Sequence, residues 1–163
     1  MIRTAGLADI PIIQQLAQAT WPATFKEILT PAQIEYMLEM MYSTESLTEQ
    51  FSSLQHVYLL WYDAGGEPRA YVSYQLDYLP RVAKIHKLYV LPEGQKQGIG
   101  KALIDAVAAR AVAHRQTRLR LDVNYQNRAI GFYERMGFVK IDEATTDIGE
   151  GFLMEDYIFE IGL

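Results

Sequence analysis

The spacing of apolar residues changes near residue 57, and this change restricts the chain to folds that combine helices with a sheet. Before this point apolar residues recur at helical spacing, whereas Val57 to Tyr62 form one continuous apolar run of strand length. The turn sequence Asp63-Ala64-Gly65-Gly66 follows and predicts a hairpin. Beyond the hairpin, strand and helix patterns alternate. This order predicts an α+β or α/β fold in which helices cover a mixed sheet.

Capping signals locate the first two helices. Asp9 and Thr30 are predicted N-caps because each precedes a helical pattern, and Pro31 suits the first position of the second helix. Further helices are predicted over residues 45–54, 98–114 and 127–136, the last ended by Gly137. Strands are predicted over residues 1–4, 57–62, 69–78, 84–91, 118–123, 138–141 and 152–161.

The composition is that of one ordinary globular domain. The chain has 163 residues and no repeat or linker, so we predict a single domain over residues 1–163. Its net charge of −5 argues against nucleic acid and anionic membranes as partners. Because the chain has no cysteine and no signal-peptide pattern at its start, a cytoplasmic location is expected. No metal ligands are predicted.

The most informative segment runs from His86 to Lys101, where a strand leads into a short loop and the loop opens a helix with two glycines one residue apart. Such glycines let a ligand approach the backbone, and the first unpaired amides of a helix attract an anion. The phosphate loop GxxxxGK[ST] and the dinucleotide fingerprint GxGxxG do not fit, because Gln95, Ala102 and Leu103 stand at required positions. A glycine-rich helix start without any ligand remains an alternative.

Basic residues accumulate after this turn. Residues 95–120 contain one acid, Asp105, and the bases Lys96, Lys101, Arg110, Arg115, Arg118 and Arg120. In a chain of net negative charge this local excess favours a polyanionic ligand, although part of it is expected to be a solvated helix face.

Two segments resemble the signatures of the GCN5-related N-acetyltransferase (GNAT) family. Gln95-Lys96-Gln97-Gly98-Ile99-Gly100 resembles the family's [Q/R]-x-x-G-x-[G/A] motif between a strand and a helix, and residues 124–138 resemble its strand–Asn–helix–Tyr–Gly–Phe segment. The resemblance is specific from Lys84 to Phe138 and loose over the first eighty residues. It implies the family's α+β fold, a mixed and mainly antiparallel sheet flanked by helices, and acetyl transfer from acetyl-CoA to an amine.

The resemblance also implies how acetyl-CoA would bind. Its pyrophosphate would contact the backbone amides of Gln95, Lys96, Gln97, Gly98, Ile99, Gly100 and Lys101. The strand that carries Leu88, Tyr89 and Val90 would separate from the strand over residues 118–123, and the pantetheine arm would lie in the gap. The Leu88 amide would help stabilise the oxyanion. Asn127 would bind the pantetheine arm, cap the following helix, or do both.

Tyr133 and His86 are the candidate catalytic residues. The motif match favours Tyr133 as the general acid, because its pKa of ~10 lies above the ~8.5 of the departing thiol; the alternative is a core aromatic. An amine of pKa ~10 must lose a proton before it attacks, and His86 is a candidate base because strand alternation places it on the face of Leu88 and Val90. A water chain is the alternative base.

The acceptor is expected to be a small cationic amine. In this family the region before the first strand pair usually forms the acceptor pocket, and here it carries Trp21, Phe25, Glu27 and Glu35. Glu35 and Glu39 share a helical face, and residues 141–163 contain seven acids and no base, which would attract a polycation. Each acid taken singly fits an ordinary solvated surface equally well.

Similarity to one branch of the family extends this expectation. The segments Trp21–Glu27, Leu88–Pro92 and Gly98–Lys101 resemble the bacterial polyamine acetyltransferases of the PaiA type, which implies an acceptor such as spermidine. The alternatives are acetylation of protein or peptide amines, and a non-catalytic acyl-CoA-binding regulator. Homodimers are frequent in the family, so a homodimer is also considered.

Overall fold

A seven-stranded sheet runs through the centre of the molecule, and this computed structural model describes all residues from 1 to 163. The strands are β1 (Ile2–Thr4), β2 (Val57–Tyr62), β3 (Pro68–Leu79), β4 (Val82–Val90), β5 (Arg118–Asn124), β6 (Val139–Gly149) and β7 (Phe152–Gly162). The helices are α1 (Ile10–Phe25), α2 (Pro31–Tyr42), α3 (Thr44–Ser52), α4 (Ile99–Ala113) and α5 (Ile130–Arg135). The strand order is β1-β2-β3-β4-β5-β7-β6, and only β4 and β5 run parallel. The predicted α+β class is confirmed.

Helices cover both faces of this sheet. We call the face under α1, α2 and α3 the α1 face and the face under α4 and α5 the α4 face. The core of the α1 face includes Ile13, Leu47, Leu60 and Tyr71. The core of the α4 face includes Val72, Leu103, Leu119 and Phe159. Neighbouring strand residues such as Tyr71 and Val72 therefore enter opposite cores. None of the helices is long and apolar enough to cross a membrane.

The first two helices begin where the sequence predicts, but only one predicted cap forms. The Thr30 hydroxyl accepts a hydrogen bond from the Gln33 amide at 3.2 Å at the start of α2. Asp9 occupies the N-cap position of α1 as predicted, but its side chain makes no capping hydrogen bond to the helix. Its carboxylate accepts from the Gly6 amide at 2.8 Å and pairs with Arg3, so it closes the 3₁₀ turn before the helix.

The closing hairpin departs most from the predicted elements. The sequence predicts a short strand over residues 138–141, whereas β6 continues to Gly149 and pairs with β7 along its length. Most of β6 is exposed, so it lacks the alternation of polar and apolar residues that marks a half-buried strand. Its conformation is therefore stabilised by pairing with β7. The last helix is also shorter than predicted, since α5 begins only at Ile130.

Contacts with α2 fix this hairpin in place. The Tyr36 hydroxyl donates to the Ile148 carbonyl at 2.5 Å, and the Gln33 side chain donates to the Leu153 carbonyl at 2.8 Å. Gly149 is needed at the turn because its φ is +94° and a Cβ there would lie 2.8 Å from the Tyr36 hydroxyl. The first half of β7 is consequently held against α2.

A buried lysine lies on the α1 face of β4. Lys87 is 8% exposed, and its ammonium donates to Gln50 Oε1 at 2.6 Å and to the Tyr58 hydroxyl at 2.9 Å. None of the salt bridges includes Lys87. Burial without a counter-charge lowers its pKa from 10.5 to about 7.

Replacing Lys87 by methionine is expected to raise the free energy of unfolding at neutral pH by about 1–3 kcal/mol. Gln50 keeps its hydrogen bond from the Tyr58 hydroxyl, at 2.6 Å, so no buried acceptor is left unpaired. Because the pKa of Lys87 is lower in the folded than in the unfolded state, wild-type stability rises with pH between about 7 and 10.5. Urea denaturation across this range should show that the variant lacks the rise. A variant less stable at neutral pH with the wild-type pH dependence would contradict this account.

Candidate active site

The two parallel strands separate partway along their length. β4 and β5 pair only from Val82 to Ile85 and from Arg118 to Leu121. After these pairs, β4 continues beside β3 alone and β5 beside β7 alone. We call the resulting space the β4–β5 gap. The splay that the family resemblance implied is therefore present.

Main-chain groups of β4 point into this gap. The Leu91 amide donates to the Arg69 carbonyl of the β3 side at 2.9 Å. In an antiparallel pair, successive residues direct their main-chain groups alternately to one neighbour and to the other. Because Leu91 faces β3, the main-chain groups of Leu88 and Val90 face the gap. The Val90 carbonyl accepts a hydrogen bond there from the Gln95 side chain at 3.2 Å.

Unpaired backbone donors collect where α4 begins, at the mouth of the gap. The amides of residues 96 to 101 donate to no protein group, although the Ala102 amide already bonds to the Gly98 carbonyl. Gly98 directly precedes the helix with φ +77°, a conformation that suits glycine. The Gln97 side chain donates to the Glu93 carbonyl at 2.9 Å. In the segment predicted as an anion site, the Gln95 amide is therefore not free, since it donates to the Pro92 carbonyl at 3.3 Å, whereas residues 96 to 101 present free N–H groups at a helix N-terminus.

A close approach joins this mouth to α5. A Cβ on Gly100 would lie 3.2 Å from the ring of Phe132, so glycine allows α4 to pack tightly against the neighbouring helix. Phe132 in turn packs against Tyr133, with ring centroids 5.4 Å apart. The second glycine of the motif therefore brings the start of α4 into contact with the helix that carries Tyr133.

Tyr133 extends from α5 into the core of the α4 face. Its side chain is 7% exposed and its hydroxyl makes no hydrogen bond to another protein group. Burial raises its pKa well above the ordinary value, so the hydroxyl keeps its proton at neutral pH. Tyr89 lies on the α1 face of the sheet, and its pKa is raised first by burial and then by the nearby Tyr71, Tyr133 and Asp156. Tyr89, Tyr133 and Asp156 are therefore close enough to interact electrostatically.

Asn127 lies between β5 and α5, but it does not directly cap the helix. Its Oδ1 accepts a hydrogen bond from the Ala129 amide at 2.8 Å, and Ala129 itself precedes α5. The side chain thus closes a turn that leads into the helix. Asn127 therefore lies two residues before the N-cap of α5, which is Ala129. Its role in binding pantetheine stays a prediction.

His86 is not on the face that strand alternation predicts. Ser73 pairs with Lys87 and Tyr74 with Ile85, so His86 is the extra residue of a β-bulge. The bulge resets the alternation and separates His86 from Leu88, which packs in the α4-face core.

His86 is also engaged by neighbouring side chains. Its ring stacks on His56 with centroids 4.1 Å apart, and its Nε2 lies 3.0 Å from Gln75 Oε1. Burial, together with the nearby His56 and the cations Lys84 and Lys87, lowers the pKa of His86 to about 2. The base role was inferred from the predicted strand face, and it has lost that support.

Two carboxylates border the gap on the α1 face, and sequence reasoning did not single them out. Asp122 of β5 pairs with Lys84 of β4 at 2.9 Å. Asp156 of β7 lies opposite Asn124, and burial raises its pKa to about 6. The sequence signal was that Asp156 shares a strand face with the apolar Met154 and Ile158, but only the register against β5 places it at the gap.

The four predicted acceptor residues have different environments. Trp21 and Phe25 are buried in the α1-face core and pack against Tyr89, with ring centroids 5.5 and 6.3 Å away. Glu27 is exposed and pairs with Arg128 at 3.1 Å. Glu35 is exposed and, with Glu39, lines a groove between α1 and α2 on the outer side of the helices. The structure thus packs the two aromatic residues against Tyr89 of β4, and it places Glu35 in a separate groove between α1 and α2.

Comparison with known proteins identifies the class of this chain. The profile of the acetyltransferase (GNAT) domain matches residues 25–155. The chain therefore belongs to the GNAT acetyltransferase family, as its sequence motifs indicated. It is an acyltransferase with acetyl-CoA as its cosubstrate. No cluster of three or more potential metal ligands is present.

Individual relatives are similar over nearly the whole chain. Spermidine N(1)-acetyltransferase of Thermoplasma acidophilum is 28% identical over 158 residues, covering 94% of this chain and 94% of the relative. The crystal structure of PaiA N-acetyltransferase from the same organism, in complex with coenzyme A, superimposes with a TM-score of 0.83 at 24% identity, covering 100% and 98% of the two chains. The ribosomal-protein-S18-alanine N-acetyltransferase of Escherichia coli superimposes with a TM-score of 0.73 at 19% identity, covering 99% and 92%.

Proposed function

We propose that this protein acetylates a primary amine of a small polycation, a polyamine such as spermidine, by direct attack of the amine on acetyl-CoA. The observation that carries the proposal is the β4–β5 gap, which has free backbone donors and Tyr133 on the α4 side and the carboxylate of Asp156 on the α1 side. Such a gap suits an anionic cosubstrate on one side and a cationic acceptor on the other. The spermidine-acetylating relative supports the choice of acceptor.

Each group at the gap has a separate role in the proposed reaction. The amides of residues 96 to 101 bind the pyrophosphate of acetyl-CoA, and Asn127 contacts its pantetheine arm. The Leu88 amide, directed into the gap, donates to the thioester oxygen and stabilises the oxyanion that develops there. Tyr133 then gives its hydroxyl proton to the departing thiolate.

An amine panel tests the choice of acceptor. With acetyl-CoA and spermidine, spermine, putrescine, a free-amino-terminal peptide or buffer alone, a thiol reagent should report CoA release fastest with the longer polyamines. Mass spectrometry should show a polyamine product heavier by one acetyl group. Turnover with the peptide alone would instead indicate a peptide amino-group acetyltransferase, and binding of acetyl-CoA with no turnover would indicate a regulator.

A further inference from the structure

We propose that Asp156 binds the ammonium group of the acceptor and accepts the proton that the nitrogen must lose before it attacks the thioester. This inference rests on the proposed function, because it assigns a residue to the amine side of that same reaction. It replaces the sequence-based choice of His86 with a group that faces the β4–β5 gap.

The register of β7 sets the position of Asp156. Val123 pairs with Tyr157 and Leu121 with Phe159, and these four side chains enter the core of the α4 face. Asp156 alternates with Tyr157 and therefore faces the α1 side. Its partner on β5 is Asn124, three residues beyond the last β4–β5 pair at Leu121. Asp156 and Tyr133 consequently approach the gap from opposite faces of the sheet.

The charges around Asp156 leave it without a counter-ion. The titratable groups that face it are Lys84 and Tyr89 of β4 and Asp122 of β5, while its partner on β6 is the uncharged Ala144. Lys84 is engaged by Asp122 at 2.9 Å, and Asp156 takes part in no salt bridge or side-chain hydrogen bond. A half-buried carboxylate without a partner favours a cationic ligand, because the ligand supplies the charge that burial removes from water.

The basicity of Asp156 fits this role. Burial, with a contribution from the negative charge of Asp122, raises its pKa to about 6, and Lys84 only partly opposes the shift. The carboxylate is therefore ionised at neutral pH but is a stronger base than an ordinary aspartate. His56 and His86 do not compete for this role, since burial lowers their pKa values to about 4 and about 2.

The proposed step balances its protons. Asp156 takes one proton from the bound ammonium, and the neutral amine nitrogen forms a bond to the thioester carbonyl carbon. When the tetrahedral intermediate collapses, the carbon–sulfur bond breaks and Tyr133 protonates the leaving sulfur. The nitrogen then returns a second proton to Tyr133, and Asp156 releases its proton to water. Ammonium and thioester thereby give amide, thiol and one proton.

The test compares Asp156→Asn with the wild type and with Glu155→Gln, which removes the same charge from the adjacent, exposed residue. For the wild type, kcat/KM with spermidine should rise through about pH 6 as Asp156 ionises. The pH profile of Asp156→Asn should lack this rise, and its kcat/KM at neutral pH should be lower by about 10²- to 10⁴-fold. Glu155→Gln should keep the wild-type pH dependence and the wild-type kcat/KM. All three proteins should bind CoA equally, and Asp156→Asn should unfold at the wild-type temperature or above, since it removes a buried charge.

A second acceptor distinguishes proton transfer from simple positioning. Fluorine on the carbon beside the reacting amine lowers the amine pKa, so this polyamine analogue needs less help from a base. The loss of turnover from wild type to Asp156→Asn should therefore be about ten times smaller with this analogue than with spermidine. Equal losses with both acceptors, or a wild-type pH limb in Asp156→Asn, would overturn the base role. If the wild type acetylates no amine at all, the proposed function fails together with this inference. If the wild type acetylates spermidine and Asp156→Asn does so equally well, the inference alone fails.

Discussion

Replacing Tyr133 by phenylalanine is expected to lower kcat by about 10²- to 10⁴-fold while leaving the Kd for CoA unchanged. The hydroxyl makes no hydrogen bond to the protein, and the ring lies between Phe132 and Phe138 with centroids 5.4 and 5.9 Å away. Phenylalanine can keep this packing, so the substitution removes little except the proton donor. The thiolate must then leave without protonation by the enzyme, and the loss falls on the chemical step.

Steady-state kinetics and isothermal titration with CoA measure this prediction. Tyr125→Phe is the matched control, because Tyr125 is 42% exposed and its hydroxyl makes no hydrogen bond to the protein. The control should keep wild-type kcat, and thermal unfolding should show both variants to be folded. If Tyr133→Phe retained most of the wild-type kcat with normal CoA affinity, Tyr133 would be a core aromatic and another group would protonate the thiolate.

Replacing Gly98 by valine is expected to weaken CoA binding by about 10- to 100-fold. Gly98 has φ +77°, and a β-branched residue cannot hold this conformation without strain. Relief of the strain turns the free amides of residues 96 to 101 away from a common anion. Loss of one charge-assisted hydrogen bond costs about 1.5–3 kcal/mol, which corresponds to this range of affinity.

Gly66→Val provides a control with the same backbone strain. Gly66 has φ +83° in the turn between β2 and β3, and no atom lies within 4 Å of a Cβ at either glycine. Both variants should therefore lose about 1–2 kcal/mol of stability, and only Gly98→Val should lose affinity for CoA in a titration. Equal CoA affinity in the two variants would show that the backbone amides at the start of α4 do not bind the pyrophosphate.

Much of the fold could be predicted from the sequence because its signals are local. The continuous apolar run gives β2 with its observed bounds, and Thr30 caps α2 as predicted. Gly137 ends the last helix with φ +100°, the left-handed conformation expected after a helix. In each case a few neighbouring residues determine the backbone conformation, so the sequence pattern is sufficient.

The elements that were mispredicted depend on contacts between distant residues. β6 is stabilised by its ladder with β7 and carries little apolar alternation of its own. The bulge at His86 arises from the register between β3 and β4, and one inserted residue moves the side chain to another environment. Asp9 is drawn away from its predicted cap by Arg3 and the Gly6 amide.

The features of the candidate site likewise fall into those that local sequence predicts and those that depend on contacts between distant residues. The sequence alone determined the glycine-rich start of α4, the asparagine and tyrosine of the second motif, and hence the family, because backbone donors and motif residues are encoded within short segments. Only the tertiary structure decided the point, after Ile85, at which β4 and β5 separate, that His86 leaves the predicted face, and that Asp156 reaches the gap from β7. The physical reason is that strand register is set by pairing between residues far apart in the chain, and a shift of one residue exchanges the two faces of a sheet.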